Sequence, residues 1–210
     1  MLRHLTMNET NFKRLSQLSE GHYQAFLYDC DGTLADNMQA HTDTYVATAK
    51  ESNVDFDSSL INELAGWPIA SVVEEINRRY HTSLVPEDFR ARKAELYASE
   101  YLPKVKPIDY VVEHLKANAG KVRIAVVSGG DKPVIEKTLK LLGIAHLVEV
   151  LVCAGDTEKG KPAPDPFLHA AQLLGVAPEQ CLVFEDGIPG TDAAEAAGMD
   201  WIRIDLLTKG

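Results

Sequence analysis

Five short apolar runs constrain this chain more than anything else in it. Ala25-Phe26-Leu27-Tyr28, Val122 to Val127, Val148 to Val152, Cys181 to Phe184 and Trp201 to Ile204 are rich in Val, Ile and aromatic residues. Most do not alternate with polar residues, the pattern of strands covered on both faces. Helical patterns separate the later runs. After Val127 comes a loop with Asp131 at an N-cap and Pro133 in the first turn; Val134, Ile135, Thr138, Leu139 and Leu142 make one face, and Gly143 is the stop. A second helix follows Asp165-Pro166 and ends at Gly175, and a third runs through Ala193 to Ala197 and stops at Gly198. Strand, helix, strand, helix is the grammar of an α/β fold with a doubly wound, Rossmann-like parallel sheet.

One gap breaks that grammar. About ninety residues separate the first run from Val122, far more than the dozen or so that a strand–helix–strand crossover needs. The stretch reads as helix over Met38 to Ser52, Ser58 to Ala65, Ile69 to Tyr80 and Pro86 to Leu102. A small helical module inserted after the first strand accounts for it. Pro103-Lys104 and Pro107 mark the return. The expected organisation is a lead over 1–22, an α/β core over 23–35 and 104–210, and a helical cap over 36–103 placed as a lid above the strand ends. Such strand ends are where open α/β sheets bind ligands.

Charge narrows the partners. Twenty-one Lys and Arg against 31 Asp and Glu leave a net charge of −10, which repels a nucleic-acid backbone. No segment approaches the roughly eighteen uncharged apolar residues of a membrane span, and the first twenty residues lack the apolar stretch of a signal peptide. The three cysteines, Cys30, Cys153 and Cys181, have neither a paired nor a metal-finger spacing. The expectation is a cytoplasmic monomer whose partner is a small metabolite, with neither nucleic acid nor membrane involved.

The polar residues that follow the strands narrow the chemistry. Asp29 and Asp31 follow the first run, Ser128 and Gly129 the second, Asp156, Lys159 and Lys161 the third, and Glu185 and Asp186 the fourth. A lone Asp after a strand is usually a helix cap, and a lone Lys-Pro a solvated turn. Caps, however, do not require paired acids after two strands with a Lys and a Ser after the other two. Four carboxylates at one sheet edge need a cation, and oxygen ligands without a His or Cys cluster favour Mg²⁺ over zinc. A Lys and a small hydroxyl at the same edge suit a phosphoryl group, whose transfer is mostly positioning and charge neutralisation. One carboxylate can attack phosphorus, and its neighbour two residues on can carry the proton.

Asp29-x-Asp31-Gly32-Thr33-Leu34, then Ser128, then Lys161-Pro162, then Glu185-Asp186 resembles the haloacid dehalogenase-like hydrolase superfamily, and within it the β-phosphoglucomutase-like branch that includes sugar-phosphate phosphatases. The likeness runs from Ala25 to Ile204, through Lys161-Pro162-Ala163-Pro164-Asp165-Pro166-Phe167 and Ala193-Ala194-Glu195-Ala196-Ala197-Gly198-Met199. It implies Asp29 as the nucleophile that forms an aspartyl-phosphate and Asp31 as general acid, then base. It implies Ser128, Gly129 and Lys161 as phosphate ligands. Mg²⁺ would be held by Asp29, the main-chain carbonyl of Asp31 and Asp186, with Glu185 supporting. Residues 1–22 lie outside the likeness, as an extra amphipathic helix or an unstructured lead, with Met7 an alternative start.

The branch's mutases carry a Lys and an Arg around a small cap loop, where they bind the far phosphate of a bisphosphate. The matching stretch here is Leu64-Ala65-Gly66-Trp67-Pro68-Ile69, with Ala65 and Ile69 at those two positions. That favours hydrolysis over a hexose-phosphate mutase. His41 and Lys93 match a cap His and Lys that mutases direct toward the general acid. Trp67 is either a substrate contact or a packing residue at a helix junction. A dehalogenase needs no metal-side acids, and a non-catalytic relative would have lost Asp29 or Lys161. The small cap loop and the terminal Ala-Ala-Gly-Met-Asp most resemble bacterial fructose-1-phosphate phosphatases, with other small sugar phosphates and phosphoglycolate open.

Overall fold

The structure is a computed structural model that describes residues 6–64 and 67–207, so the expectation attached to Ala65 lies outside the described residues. The chain divides into two compact units, Met1–Asp36 with Lys106–Gly210, and Asn37–Val105. In chain order the first unit begins with α1 (Met7–Leu18), β1 (Ala25–Tyr28) and β2 (Ala35–Asp36). The second unit holds α2 (Met38–Glu51), α3 (Ser59–Glu63), α4 (Ile69–Tyr80) and α5 (Pro86–Leu96). The first then resumes with β3 (Lys106–Pro107), α6 (Asp109–Asn118), β4 (Arg123–Val127), α7 (Lys132–Leu141), β5 (Val150–Val152), α8 (Asp165–Leu174), β6 (Cys181–Glu185), α9 (Ile188–Ala196) and β7 (Asp200–Arg203).

Five of the strands form one parallel sheet in the order β5-β4-β1-β6-β7. The central runs, β1, β4 and β6, are strands covered on both faces, whereas the edge strand β7 leaves Trp201 exposed. Ala25, Leu27, Ala125, Val127, Cys181 and Val183 pack with Phe167, Ala170, Ala171 and Leu174 of α8 and with Ala193 and Ala194 of α9. On the opposite face Phe26 and Tyr28 meet His114 of α6, and α1 packs on α6. Burying each large side chain in this core contributes about 1.5–3 kcal/mol. The centre of the sheet is β1. From it the chain builds first toward β4 and β5, then crosses to β6 and β7, so the strand order reverses at the carboxyl end of β1. A crevice opens at such a switch point.

The second unit is all helix. Tyr45, Ala49, Leu60, Leu64, Val72, Val73, Ile76 and Phe89 form its core, with Ile69 packed against it. The helix expected over Pro86 to Leu102 stops earlier: α5 ends at Leu96, a π turn takes Tyr97–Tyr101, and a 3₁₀ turn takes Leu102–Lys104. Pro103, with no N–H to give, sits in that last turn. The chain re-enters the first unit through a two-stranded antiparallel ribbon, Ala35 opposite Pro107 and Asp36 opposite Lys106. Residues 7–18 form α1, started by a capping box in which the Thr6 hydroxyl accepts the Glu9 N–H at 3.2 Å and the Glu9 carboxylate accepts the Thr6 N–H at 2.8 Å. Among the described residues, no helix is long and apolar enough to cross a membrane.

Candidate active site

Parallel strands deliver their carboxyl ends to one edge, and the polar residues after β1, β4 and β6 gather there. The ladder runs one step past β1, with the Asp29 N–H donating to the Phe184 carbonyl at 2.9 Å. That step fixes the Asp29 backbone before the chain turns. The turn is tight. The N–H groups of Leu34 and Ala35 both donate to the Cys30 carbonyl at 2.9 Å, and Gly32 takes a φ of +84°, a conformation that favours glycine. A Cβ on Gly32 would also lie 2.3 Å from Asp186 Oδ2. The glycine therefore lets the first acidic loop pass directly against the second.

Lys161, from the loop between β5 and α8, is the hub. Its Nζ donates to Asp29 Oδ1 at 2.7 Å, to Glu185 Oε1 at 2.5 Å and to the Val127 carbonyl at 2.8 Å. An ammonium has three protons, and all three are engaged. The other oxygen of Glu185 accepts the N–H groups of Asp186 at 3.1 Å and Gly187 at 3.3 Å. Glu185 thus holds Lys161 with one oxygen and the next loop with the other. Gly190 makes room for it: a Cβ there would stand 1.9 Å from the Glu185 carboxyl. Ser128 is buried, and its Oγ accepts the Gly130 N–H at 3.0 Å, curling the Ser128-Gly129-Gly130 loop at the end of β4.

Electrostatics here are unbalanced. Burial and the nearby Glu185 raise the Asp29 carboxyl well above its ordinary range, with Lys161 opposing them. Burial and Glu185 push Asp186 up to about 6, although a hydrogen bond from Thr33 Oγ1 at 3.3 Å works the other way. Burial alone would lower Lys161, but Asp29 and Glu185 outweigh it and keep the ammonium charged. Among the described residues, Lys161 is the cation bonded to this cluster of three buried or half-buried carboxylates. Oxygens of Asp29, Glu185 and Asp186 lie within 4.8 Å of one another. An all-oxygen set of that charge fits a hard divalent cation.

Asp29, Glu185, Asp186 and Lys161 come together as the strand pattern predicts, with Asp31 and Ser128 on adjoining turns. Thr33, fully buried and bonded to Asp186, was visible in the Asp-Gly-Thr-Leu motif but carried no assigned role. Asp156 serves the backbone, accepting the Cys153 N–H at 2.9 Å. In the helical unit, His41 stacks on Tyr97 at 4.4 Å, and Lys93 is buried with its Nζ 4.6 Å from the Tyr45 ring centre and 5.8 Å from that of Tyr97. Asn37 Nδ2 donates to the Tyr97 hydroxyl at 2.8 Å. Trp67, at the junction before α4, is half exposed.

The haloacid dehalogenase-like hydrolase family matches residues 23–198. The chain belongs to that family. Among its relatives, the fructose-1-phosphate phosphatase YqaB of Escherichia coli (strain K12) is 34% identical over 188 residues, covering 88% of this chain and 98% of that protein. Hexitol phosphatase A of the same organism is 29% identical over 182 residues, covering 87% and 83%. The crystal structure of CbbY from Rhodobacter sphaeroides in complex with phosphate superposes with a TM-score of 0.76 at 23% identity, over 86% of this chain and 85% of that one. Asp29, Lys161, Glu185 and Asp186, on the edge just described, all lie within the segment that matches the haloacid dehalogenase-like hydrolase family.

Proposed function

We propose that this phosphoric monoester hydrolase removes phosphate from a small sugar phosphate of the fructose 1-phosphate kind, with Asp29 as nucleophile and Mg²⁺ as cofactor. The observation that carries the proposal is Lys161, held between Asp29 and Glu185 at the switch point of the sheet. A carboxylate beside a fixed ammonium is what in-line attack on a phosphoryl group requires.

In the first step an Asp29 oxygen bonds to phosphorus and the bond from phosphorus to the sugar oxygen breaks. Asp31 gives its proton to that leaving oxygen. In the second step Asp31, now a carboxylate, takes a proton from water as the water oxygen bonds to phosphorus. The aspartyl–phosphorus bond breaks, and inorganic phosphate leaves. Lys161 balances charge on the phosphoryl oxygens, and the Ser128 hydroxyl with the Gly129 N–H binds them. Asp29, the Asp31 carbonyl and Asp186 would hold Mg²⁺, with Glu185 supporting. The ion supplies the positive charge that keeps Asp29 and Asp186 ionised beside a dianionic substrate.

The sugar-phosphate class draws on the phosphatases named above and on the cap loop. Ile69, one of the two positions where a mutase charge would stand, packs instead into the apolar core of the helical unit. A substrate with a single phosphate needs no second anion site. The test is phosphate release from fructose 1-phosphate, glucose 1-phosphate and phosphoglycolate, with Mg²⁺ and with EDTA, each organic product identified. The proposal expects Mg²⁺-dependent release, fastest from a sugar phosphate. Conversion of glucose 1-phosphate to glucose 6-phosphate without free phosphate would contradict it.

A further inference from the structure

The N-terminal helix lies before the family-matched segment, yet it is tied into the core. Leu15 is fully buried, Asn11 is buried, and Asn8 Nδ2 donates to Glu113 Oε2 of α6 at 3.1 Å. At the end of α1, Ser19 reaches His114, which is itself fully buried. The protons of this contact can be assigned. The Ser19 hydroxyl donates to the Ser16 carbonyl at 3.0 Å, so at 2.8 Å from His114 Nε2 it accepts. Nε2 therefore carries the imidazole proton, and the bare Nδ1 accepts the Tyr28 hydroxyl at 2.9 Å. Reversing the chain would strand the proton of a buried phenol, because among the described residues His114 is the hydrogen-bond partner of that hydroxyl. Burial lowers His114 to about 4, so it stays neutral at ordinary pH.

Tyr28 is the residue before Asp29. Its ring stacks on Phe184 at 4.5 Å and 11°, and the two are register partners on β1 and β6. One residue further along these strands are Asp29 and Glu185, the two carboxylates that share Lys161. An apolar pair would fill the same space without reference to any other segment. Here a fully satisfied polar chain runs from the ring stack to α1, and such chains fix one geometry.

We propose that α1 is a working part of the catalytic core: through Ser19 and His114 it holds Tyr28, and so sets the position of Asp29, which makes His114 a positioning residue for the nucleophile. This rests on the role of Asp29 given above. The test measures kcat and KM for p-nitrophenyl phosphate with Mg²⁺ in the full-length chain. The variants are Ser19→Ala, Tyr28→Phe, Ser19→Thr and Leu174→Ala, the last a cavity on the opposite face of the sheet.

Ser19→Ala and Tyr28→Phe should each lower kcat roughly tenfold, as loss of a supporting hydrogen bond behind a catalytic group does, with KM little changed. Ser19→Thr, which keeps the hydroxyl, should recover the rate. Leu174→Ala should lose stability and keep kcat. Wild-type kcat in both Ser19→Ala and Tyr28→Phe would overturn the proposal, as would a kcat that falls in Leu174→Ala in step with its stability. A wild type that releases phosphate neither from p-nitrophenyl phosphate nor from any of the sugar phosphates above would overturn the phosphatase reading itself, and this role with it.

Discussion

Lys161 is a buried cation whose three bonds stitch the ends of β1, β4 and β6 into one site. Lys161→Met removes that charge and leaves Asp29 and Glu185 facing each other, so it should abolish turnover. It should also cost about 3–5 kcal/mol, the usual penalty for orphaning buried charges, read by denaturant unfolding without metal. Gly190→Ala tests the same point from outside the motif residues. Its methyl would displace the Glu185 carboxyl from Lys161, so the expected result is about 1–3 kcal/mol of strain and a reduced kcat; unchanged stability and rate would mean that Glu185 is free to move. Asp29, Asp31, Ser128, Lys161, Glu185 and Asp186 were legible because each follows an apolar run. The use of Glu185 was not. It depends on a glycine five residues later approaching the carboxyl, and no periodicity records an approach between a loop and a helix.

At the scale of elements, the strands and α7 to α9 show in the sequence because apolar runs and glycine stops mark them. The helix α6 does not. Tyr110, Val111, Val112, His114 and Leu115 are all buried, leaving a polar stripe of only Asp109, Glu113 and Lys116, one residue per turn. Its histidine has a measurable consequence. His114 in the folded chain titrates near 4, against an ordinary 6.5. Its contribution is intact above pH 6.5 and is lost as pH falls from 6.5 toward 4, because the unfolded chain takes the proton first. The loss amounts to about 3 kcal/mol. Asp186, raised to about 6, works in the opposite sense: without metal, the folded chain binds its proton first as pH falls through 6. Unfolding between pH 7 and 4 with saturating Mg²⁺, where Asp186 is held ionised, should show the His114 slope, and a His114→Gln chain should lack it. Equal slopes in the two proteins would remove the neutral buried imidazole from the account.

The whole molecule carries a net charge of −10 and must still bind an anionic substrate. The site meets this locally, with Lys161 and an oxygen cluster suited to a divalent ion. Metal binding should therefore stabilise the entire first unit. At one hundred times its dissociation constant, Mg²⁺ should add about 2.7 kcal/mol, seen as a rise in Tm that EDTA reverses and that Asp186→Asn largely removes. A Tm indifferent to Mg²⁺ would contradict the cluster as a metal site. The second unit, Asn37–Val105, is the long helical stretch that interrupts the strand pattern. The ribbon of Ala35–Asp36 with Lys106–Pro107 was not legible in the sequence, because two-residue strands leave no pattern.

The central claim is that Asp29 becomes phosphorylated. The most direct measurement is a rapid acid quench of the enzyme turning over fructose 1-phosphate with Mg²⁺, followed by borohydride reduction and mass spectrometry of the peptide that carries Asp29. The account predicts homoserine at position 29, formed only with substrate and absent from Asp29→Asn, whose kcat falls by at least about 10⁴-fold. Phosphate release at full rate with Asp29 unmodified, or with the label on another residue, would contradict it.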